Sequence, residues 1–372
     1  MMSPSIIPAP LRRLPWSLLG PVIAVAVFGL VVLYSAAGGN MSPWAQSQGI
    51  RFIVFLGLAM FLSRVRMEFW RNMAFPFYVI FLVLLILVEL LGAVKGGSQR
   101  WLDLGFIRLQ PSEMMKLAIV LATARFYDLL PAGQIRTWSA IWPAGLAIAV
   151  PAGLVMLQPD LGTALMIIAG GISVMFLAGL PMWLFVTGVG SIMVIAPLAF
   201  FFLLHGYQRK RVLIFLDPES DPLGAGYHIS QSKIAIGSGG ITGKGFLNGS
   251  QSHLDYLPEG HTDFVFATMA EEWGLIGGIL LIAGFIYITR WGLGVAQQSK
   301  RKFDKLTAGG LSMTIFFYVA INISMVMGLA PVVGIPLPLF SFGGSAMMTV
   351  MICLGIIMAI DRENNRRSGT FD

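Results

Sequence analysis

The chain has 372 residues, 56% of them hydrophobic and 12% charged, with a formal net charge of +7. About 25% of residues in an ordinary soluble domain are charged, so this composition excludes a soluble enzyme and leaves no stretch in which a separate soluble domain could fold. The Lys and Arg residues fall in short clusters between apolar runs and form no coherent basic face, which argues against nucleic acid as a partner.

Apolar runs near or above the ~20 residues needed to cross a bilayer as a helix predict an all-α polytopic membrane protein. In chain order the expected spans are Ser17 to Ala36, Gly49 to Arg64, Met73 to Gly92, Ser112 to Tyr127, Ser139 to Leu157, Leu161 to Leu180, Trp183 to His205, Phe264 to Arg290, Leu311 to Val332 and Ser341 to Ile360. The 43 glycines and 20 prolines are interleaved with large apolar residues, a pattern spanning helices tolerate. Arg12 and Arg13 before the first run, with Ser35-Ala36-Ala37 after it, resemble a secretory signal, but the length of the run and the spans that follow favour a retained helix. Cys353 is the only cysteine, so no intrachain disulfide can form.

Basic clusters at 64–71, 300–305 and 362–367 set the expected orientation by the positive-inside rule, with both termini cytoplasmic. The expected layout is a single membrane domain: an N-terminal tail 1–16, spans within 17–205, one long extracytoplasmic loop 206–263, spans within 264–360, and a C-terminal tail 361–372. This arrangement also puts the Leu91 to Pro111 loop and the Gln158 to Asp160 turn outside, where the polar chemistry gathers.

Asp255, Glu259 and Asp263 would share one helical face, but Pro258 and Gly260 between them predict a bent loop, with Thr262 or Asp263 capping the helix that follows. Asp263 thus reads equally as a helix cap and as a catalytic carboxylate, and one residue can be both. Glu271 and Glu272 lie two turns further on, where pairing between helices is the expected role. Glu113 and Lys116, spaced i,i+3 at the start of the fourth span, read as a structural ion pair or as support for a site. In Gln158-Pro159-Asp160-Leu161-Gly162-Thr163 the Pro and Gly make a tight turn, and Asp160 is placed to cap the sixth span.

Arg209, Lys210 and Arg211 run against the orientation bias unless they have another use, and with Arg100, Lys233 and Lys244 they are candidates for holding phosphate oxygens or lipid headgroups. The run Gly237 to Gly245 is not a Walker A loop, because Ser238 and Gly245 stand where that motif needs Gly and Ser or Thr; it reads as a flexible or closely packed outer loop. His253 and His261 are too few and too loosely spaced for a resident metal site, although the acidic residues could attract Mg or Mn together with a diphosphate.

Taken together, Arg100-Trp101, Gln110-Pro111-Ser112-Glu113 with Lys116, Gln158 to Thr163, Gln231 to Gly245, Leu257 to Phe264, Glu271 to Gly274 and Pro336 to Gly344 resemble the SEDS (shape, elongation, division and sporulation) family, in particular its rod-shape-determining members. The similarity runs from about Arg12 to Arg362; Gly260, where many relatives carry a larger residue, is a small departure. The resemblance implies a peptidoglycan glycosyltransferase of the bacterial cytoplasmic (inner) membrane. It would polymerise lipid II on the outer face, beside a class B penicillin-binding protein that cross-links the strands and the other elongation-machinery proteins. It places the family's essential aspartate on Asp263 and its supporting charges on Glu113, Lys116 and Asp160. An inverting transfer needs a base for the acceptor hydroxyl and cations for the leaving diphosphate. A lipid II flippase and a non-catalytic scaffold are the other readings; transport would predict inverted repeats and broken midplane helices, and no convincing repeat is visible.

Overall fold

The computed structural model describes residues 14–91, 93–95, 98–103, 108–202, 206–217, 221, 224–254, 256–257 and 259–367. Arg12, Arg13, His205, Asp255 and Pro258 therefore lie outside the described residues, as do most of the N-terminal tail and the end of the C-terminal one.

Helices α1 (Trp16–Ala36), α2 (Trp44–Leu62) and α3 (Met67–Leu91) lead into three short strands, β1 (Ala93–Lys95), β2 (Ser98–Asp103) and β3 (Arg108–Leu109). Helices α4 (Pro111–Leu129), α5 (Trp138–Leu157), α6 (Leu161–Ala178) and α7 (Met182–Phe202) follow. The long loop carries α8 (Gly206–Leu216), α9 (Ala225–Gly239) and the single turn α10 (Ser250–His253). Helices α11 (Val265–Gln298), α12 (Lys302–Val326) and α13 (Gly344–Arg367) complete the chain. The protein is an all-α polytopic membrane protein whose only described sheet is the antiparallel β1-β2-β3 ribbon in the loop before α4.

Eight helices, α1, α2, α3, α5, α6, α11, α12 and α13, are long and apolar enough to cross a bilayer. α4 and α7 lie where the fourth and seventh spans are expected. α4 falls short on composition because it carries Glu113, Lys116, Arg125 and Asp128, and its position explains how it keeps them. Every residue from 111 to 124 is buried, with α3, α5, α6, α12 and α13 packed around it, so its charges meet protein instead of acyl chains. Large apolar side chains such as Ile53, Phe61, Val79, Trp142 and Met193 face outward instead, a belt that is stable only against lipid.

The loop 206–263, expected as a polar connection, is largely helical, and α9 packs against α11. α11 departs from the expected uninterrupted span: Gly274 adopts φ 62°, ψ −158°, and the helix breaks there. The freed backbone groups are taken up by the glycine run. Lys244 and Gly245 donate their amides to the carbonyls of Glu271 and Glu272 at 2.9 and 3.0 Å, and the amides of Leu275 and Ile276 donate to Gly240 and Ile241 at 3.0 and 3.2 Å. Unsatisfied backbone groups are expensive in a membrane protein, so this exchange is what permits the break. It also explains the glycines, since a Cβ on Gly243 would sit 2.0 Å from the Glu272 carbonyl oxygen.

Candidate active site

Asp263 sits in the turn leading into α11. The amides of Thr262 and Phe264 both donate to the Glu259 carbonyl, at 3.1 and 3.2 Å, which tightens that turn, and Phe264 takes the N-cap position with no side-chain cap. The expected capping by Thr262 or Asp263 is therefore corrected: the Thr262 hydroxyl turns back to the Glu259 carboxylate and main chain, and the Asp263 carboxylate is directed elsewhere. Its Oδ2 lies beside Gly334, where an added Cβ would be 3.5 Å away. Burial, then the negative charges of Glu259 and of Asp160, push its pKa up from 3.8 to about 6.

Asp160 reaches this site as the N-cap of α6, accepting the Thr163 amide at 3.1 Å, as the tight turn at Gln158 to Thr163 predicts. Gly162, two residues on, lets the loop carrying Gly334 approach, because a Cβ there would meet the Val333 carbonyl at 2.7 Å. The main chain of Asp263 is held by Asn322 of α12, whose Nδ2 donates to the carbonyls of Asp263 at 2.8 Å and Ile335 at 2.6 Å. On the other side of the turn, His261 stacks on Trp44 with ring centroids 4.0 Å apart and accepts the Phe342 amide at its carbonyl, at 2.9 Å. Burial lowers the His261 pKa, more than Glu259 opposes it.

Glu113 and Lys116 form a closed, buried network at the centre of the bundle. Lys116 Nζ lies 2.6 Å from Glu113 Oε1 and 2.8 Å from the Tyr318 hydroxyl, while that hydroxyl donates to Glu113 Oε2 at 2.6 Å and Thr349 adds a donor at 3.2 Å. The network ties α4 to α12 and α13. Tyr318 lies one turn from Asn322 on α12, so whatever fixes the rotation of α12 also fixes the amide that holds Asp263.

Glu271 and Glu272 have separate partners. Glu272 accepts Ser35 of α1 at 2.5 Å, the helix pairing expected of it. Glu271, by contrast, binds the outer loop, accepting from Lys244 Nζ at 2.6 Å, Ser250 Oγ at 3.0 Å and the Gln251 amide at 3.1 Å. Lys244 thereby braces the glycine loop against α11. Lys233 is exposed on α9 and lies across Gly328 just beyond the end of α12, and Arg209 is half-buried on α8 with Lys210 and Arg211 beside it in sequence. The side chains of Arg100, Lys210 and Arg211 lie outside the described part. Among the described residues no group of three His, Cys, Asp or Glu side chains is placed to hold a metal ion.

Residues 15–366 match the profile of the cell cycle protein family that groups FtsW, RodA and SpoVE. The chain belongs to this family. It is 44% identical over 341 residues to the peptidoglycan glycosyltransferase MrdB of Escherichia coli strain K12, covering 91% of each chain. It is 37% identical over 340 residues to the MrdB protein of Helicobacter pylori strain ATCC 700392 / 26695, covering 90% of this chain and 87% of that one. Among solved structures, a chain of a peptidoglycan synthase complex that coordinates polymerization and crosslinking matches with TM-score 0.82 and 32% identity, over 95% of this chain and 98% of that one. Thermus thermophilus rod-shape-determining protein RodA matches with TM-score 0.71 and 28% identity over the same shares.

In this FtsW/RodA/SpoVE-family chain, four residues at or supporting the site carry no signal in the sequence. Tyr318, Asn322 and Thr349 are single polar residues in apolar helices, and nothing in their spacing marks the partners they meet. His228 of α9, whose ring stacks on Phe264 at 5.9 Å, is likewise isolated in sequence from the Asp263 turn.

Proposed function

We propose that Asp263 is the general base of this chain's peptidoglycan glycosyltransferase reaction, in which lipid II is polymerised by inverting transfer on the outer face of the cytoplasmic membrane. The acceptor 4-hydroxyl of one sugar attacks the anomeric carbon of another held through an α-linked lipid diphosphate. Asp263 takes the hydroxyl proton, a β-glycosidic bond forms, and the diphosphate departs with the electron pair of the broken bond. The observation that carries the reading is the placement of Asp263: a carboxylate freed from capping, held through its main chain by Asn322 and raised to a pKa of about 6, close to the value a base working near neutral pH needs.

Asp160 and Glu259 supply negative field and turn geometry, while Glu113 and Lys116 act through Tyr318 and α12 to hold the site. Arg209, Lys210, Arg211, Arg100 and Lys233 are the proposed cations for the leaving diphosphate, which needs charge stabilisation more than a proton. A Mg or Mn ion carried in on the diphosphate would relieve the mutual repulsion of Asp263, Asp160 and Glu259. With both termini cytoplasmic, the Asp263 turn is extracytoplasmic, and a class B penicillin-binding protein would accept the new strand for cross-linking. Transport would use broken helices whose free backbone groups bind a solute; the break at Gly274 is closed by the chain's own glycine loop, which speaks for the enzyme.

Purified protein given lipid II, with and without the cognate transpeptidase and with and without a chelator, tests the reading. Glycan polymer that vanishes in Asp263→Ala and persists in Thr187→Ala, a change on an exposed face of α7, supports it. Polymer unaffected by Asp263→Ala overturns it.

A further inference from the structure

At the end of the bundle opposite Asp263, a cavity of about 570 Å³ opens between the start of α1, the end of α2, the far half of α11 and the end of α13. Its charges do not balance. Arg64, Arg362 and Arg366 line it against a single carboxylate, Asp361, which also accepts the Asn365 amide at 3.2 Å. Arg362 gives one N–H to the Ser63 carbonyl at 3.3 Å, at the C-cap of α2, and lies in the positive fields of both Arg64 and Arg366, which Glu363 on its other side opposes. Among the described residues neither Arg64 nor Arg366 has a carboxylate within ion-pair distance.

Three guanidinium groups converging on one space repel one another unless an anion lies among them. A neighbouring cavity of about 360 Å³, which shares Arg366 as a wall, is closer to balance: Glu68 and Glu363 line it together with Arg66, Arg301 and Arg366. The unbalanced cavity sits at the ends of the apolar helices α1, α2 and α13, and Trp291, donating to Ser17 at 3.1 Å, supplies the kind of amphipathic wall that is enriched where spans meet headgroups. Leu14, Pro15 and Met358 give it an apolar side on which the start of an acyl chain could lie.

We propose that this cavity is a binding site for the phosphate headgroup of an anionic phospholipid of the inner leaflet. The planar forks of Arg64 and Arg366 are suited to bidentate contact with phosphate oxygens, and basic pockets between helices on the cytoplasmic side attract such headgroups. The site is remote from the Asp263 turn, so the lipid would brace the packing of α1, α2, α11 and α13 and take no part in the transfer.

Native mass spectrometry of the full-length protein, titrated with phosphatidylglycerol, with phosphatidylcholine or with inorganic phosphate, tests the assignment. The expected result is one adduct that prefers phosphatidylglycerol over phosphatidylcholine at least tenfold, is not displaced by equimolar inorganic phosphate, and loses that preference in Arg64→Gln/Arg366→Gln. Arg366→Gln alone, at an exposed position near the helix end where folding is not at stake, weakens it at least threefold, whereas Arg301→Gln in the neighbouring cavity leaves it intact. Equal retention of the two lipids, displacement by inorganic phosphate, or a preference that survives both Arg64→Gln/Arg366→Gln and Arg366→Gln overturns the proposal.

Discussion

As the proposed general base, Asp263 faces two opposing demands: burial and its acidic neighbours favour the protonated form, while a base must be ionised. Because Glu259 is an exposed negative neighbour, Glu259→Gln removes part of the repulsion, lowers the Asp263 pKa, and moves the acid limb of the pH–rate profile to lower pH by a fraction of a unit. A limb that stays in place or moves upward would show that Glu259 does not act on Asp263. On the proposed mechanism Asn322 positions the base; Asn322→Leu removes the donor to the Asp263 and Ile335 carbonyls, and a displacement of about 1 Å can cost about 100-fold. The loss is expected in kcat with KM little changed, measured as initial polymerisation rate against lipid II concentration. At this scale Asp263, Glu113, Lys116 and Asp160 stand out in the sequence because charge is rare in so apolar a chain. Asn322 and Tyr318 do not, because a lone amide or phenol on an apolar helix acquires a role only from what packs opposite it.

The elements show which intramembrane charges are structural. Glu113 and Lys116 on α4 are buried and share partners, so removing one leaves the other uncompensated: Glu113→Gln or Lys116→Met should each destabilise by about 3–5 kcal/mol. The double variant should cost less than the sum of the two, as a double-mutant cycle on thermal unfolding would show. Breaking Lys244 from Glu271 should cost less, since Ser250 and the Gln251 amide still serve that carboxylate. The glycine loop meets the break in α11 through backbone bonds, so Gly243→Ala, at φ 82° and facing the Glu272 carbonyl, should destabilise by about 1–3 kcal/mol and loosen the loop. Raised amide exchange at Lys244 and Gly245 is the measurement, and unchanged exchange would contradict the stitching. Helices and their order followed from apolar runs. The break at Gly274 did not, because glycine is tolerated inside spanning helices and only the matching loop reveals that this one departs from helical geometry.

At the scale of the molecule, one buried helix, α4, is sheathed by more apolar neighbours and carries the charge network, while the Asp263 turn and the arginine-lined cavity occupy opposite ends of the bundle. That α4 is sheathed was not legible, because Glu113 and Lys116 at the start of an apolar run do not say which helices surround it. The helical content of loop 206–263 was not legible either, because its short helices interrupt a polar stretch with Pro and Gly punctuation. What unites the molecule is the claim that a carboxylate on the outer face takes the acceptor proton. Its most direct test is the rate of lipid II polymerisation as a function of pH for the wild-type protein and Asp263→Asn, each with its cognate transpeptidase. The wild-type rate should rise with unit slope through about pH 6 and level off above it, and Asp263→Asn should fall at least about 100-fold and lose that limb. An Asp263→Asn protein with the wild-type rate, or with the same acid limb, would contradict the account.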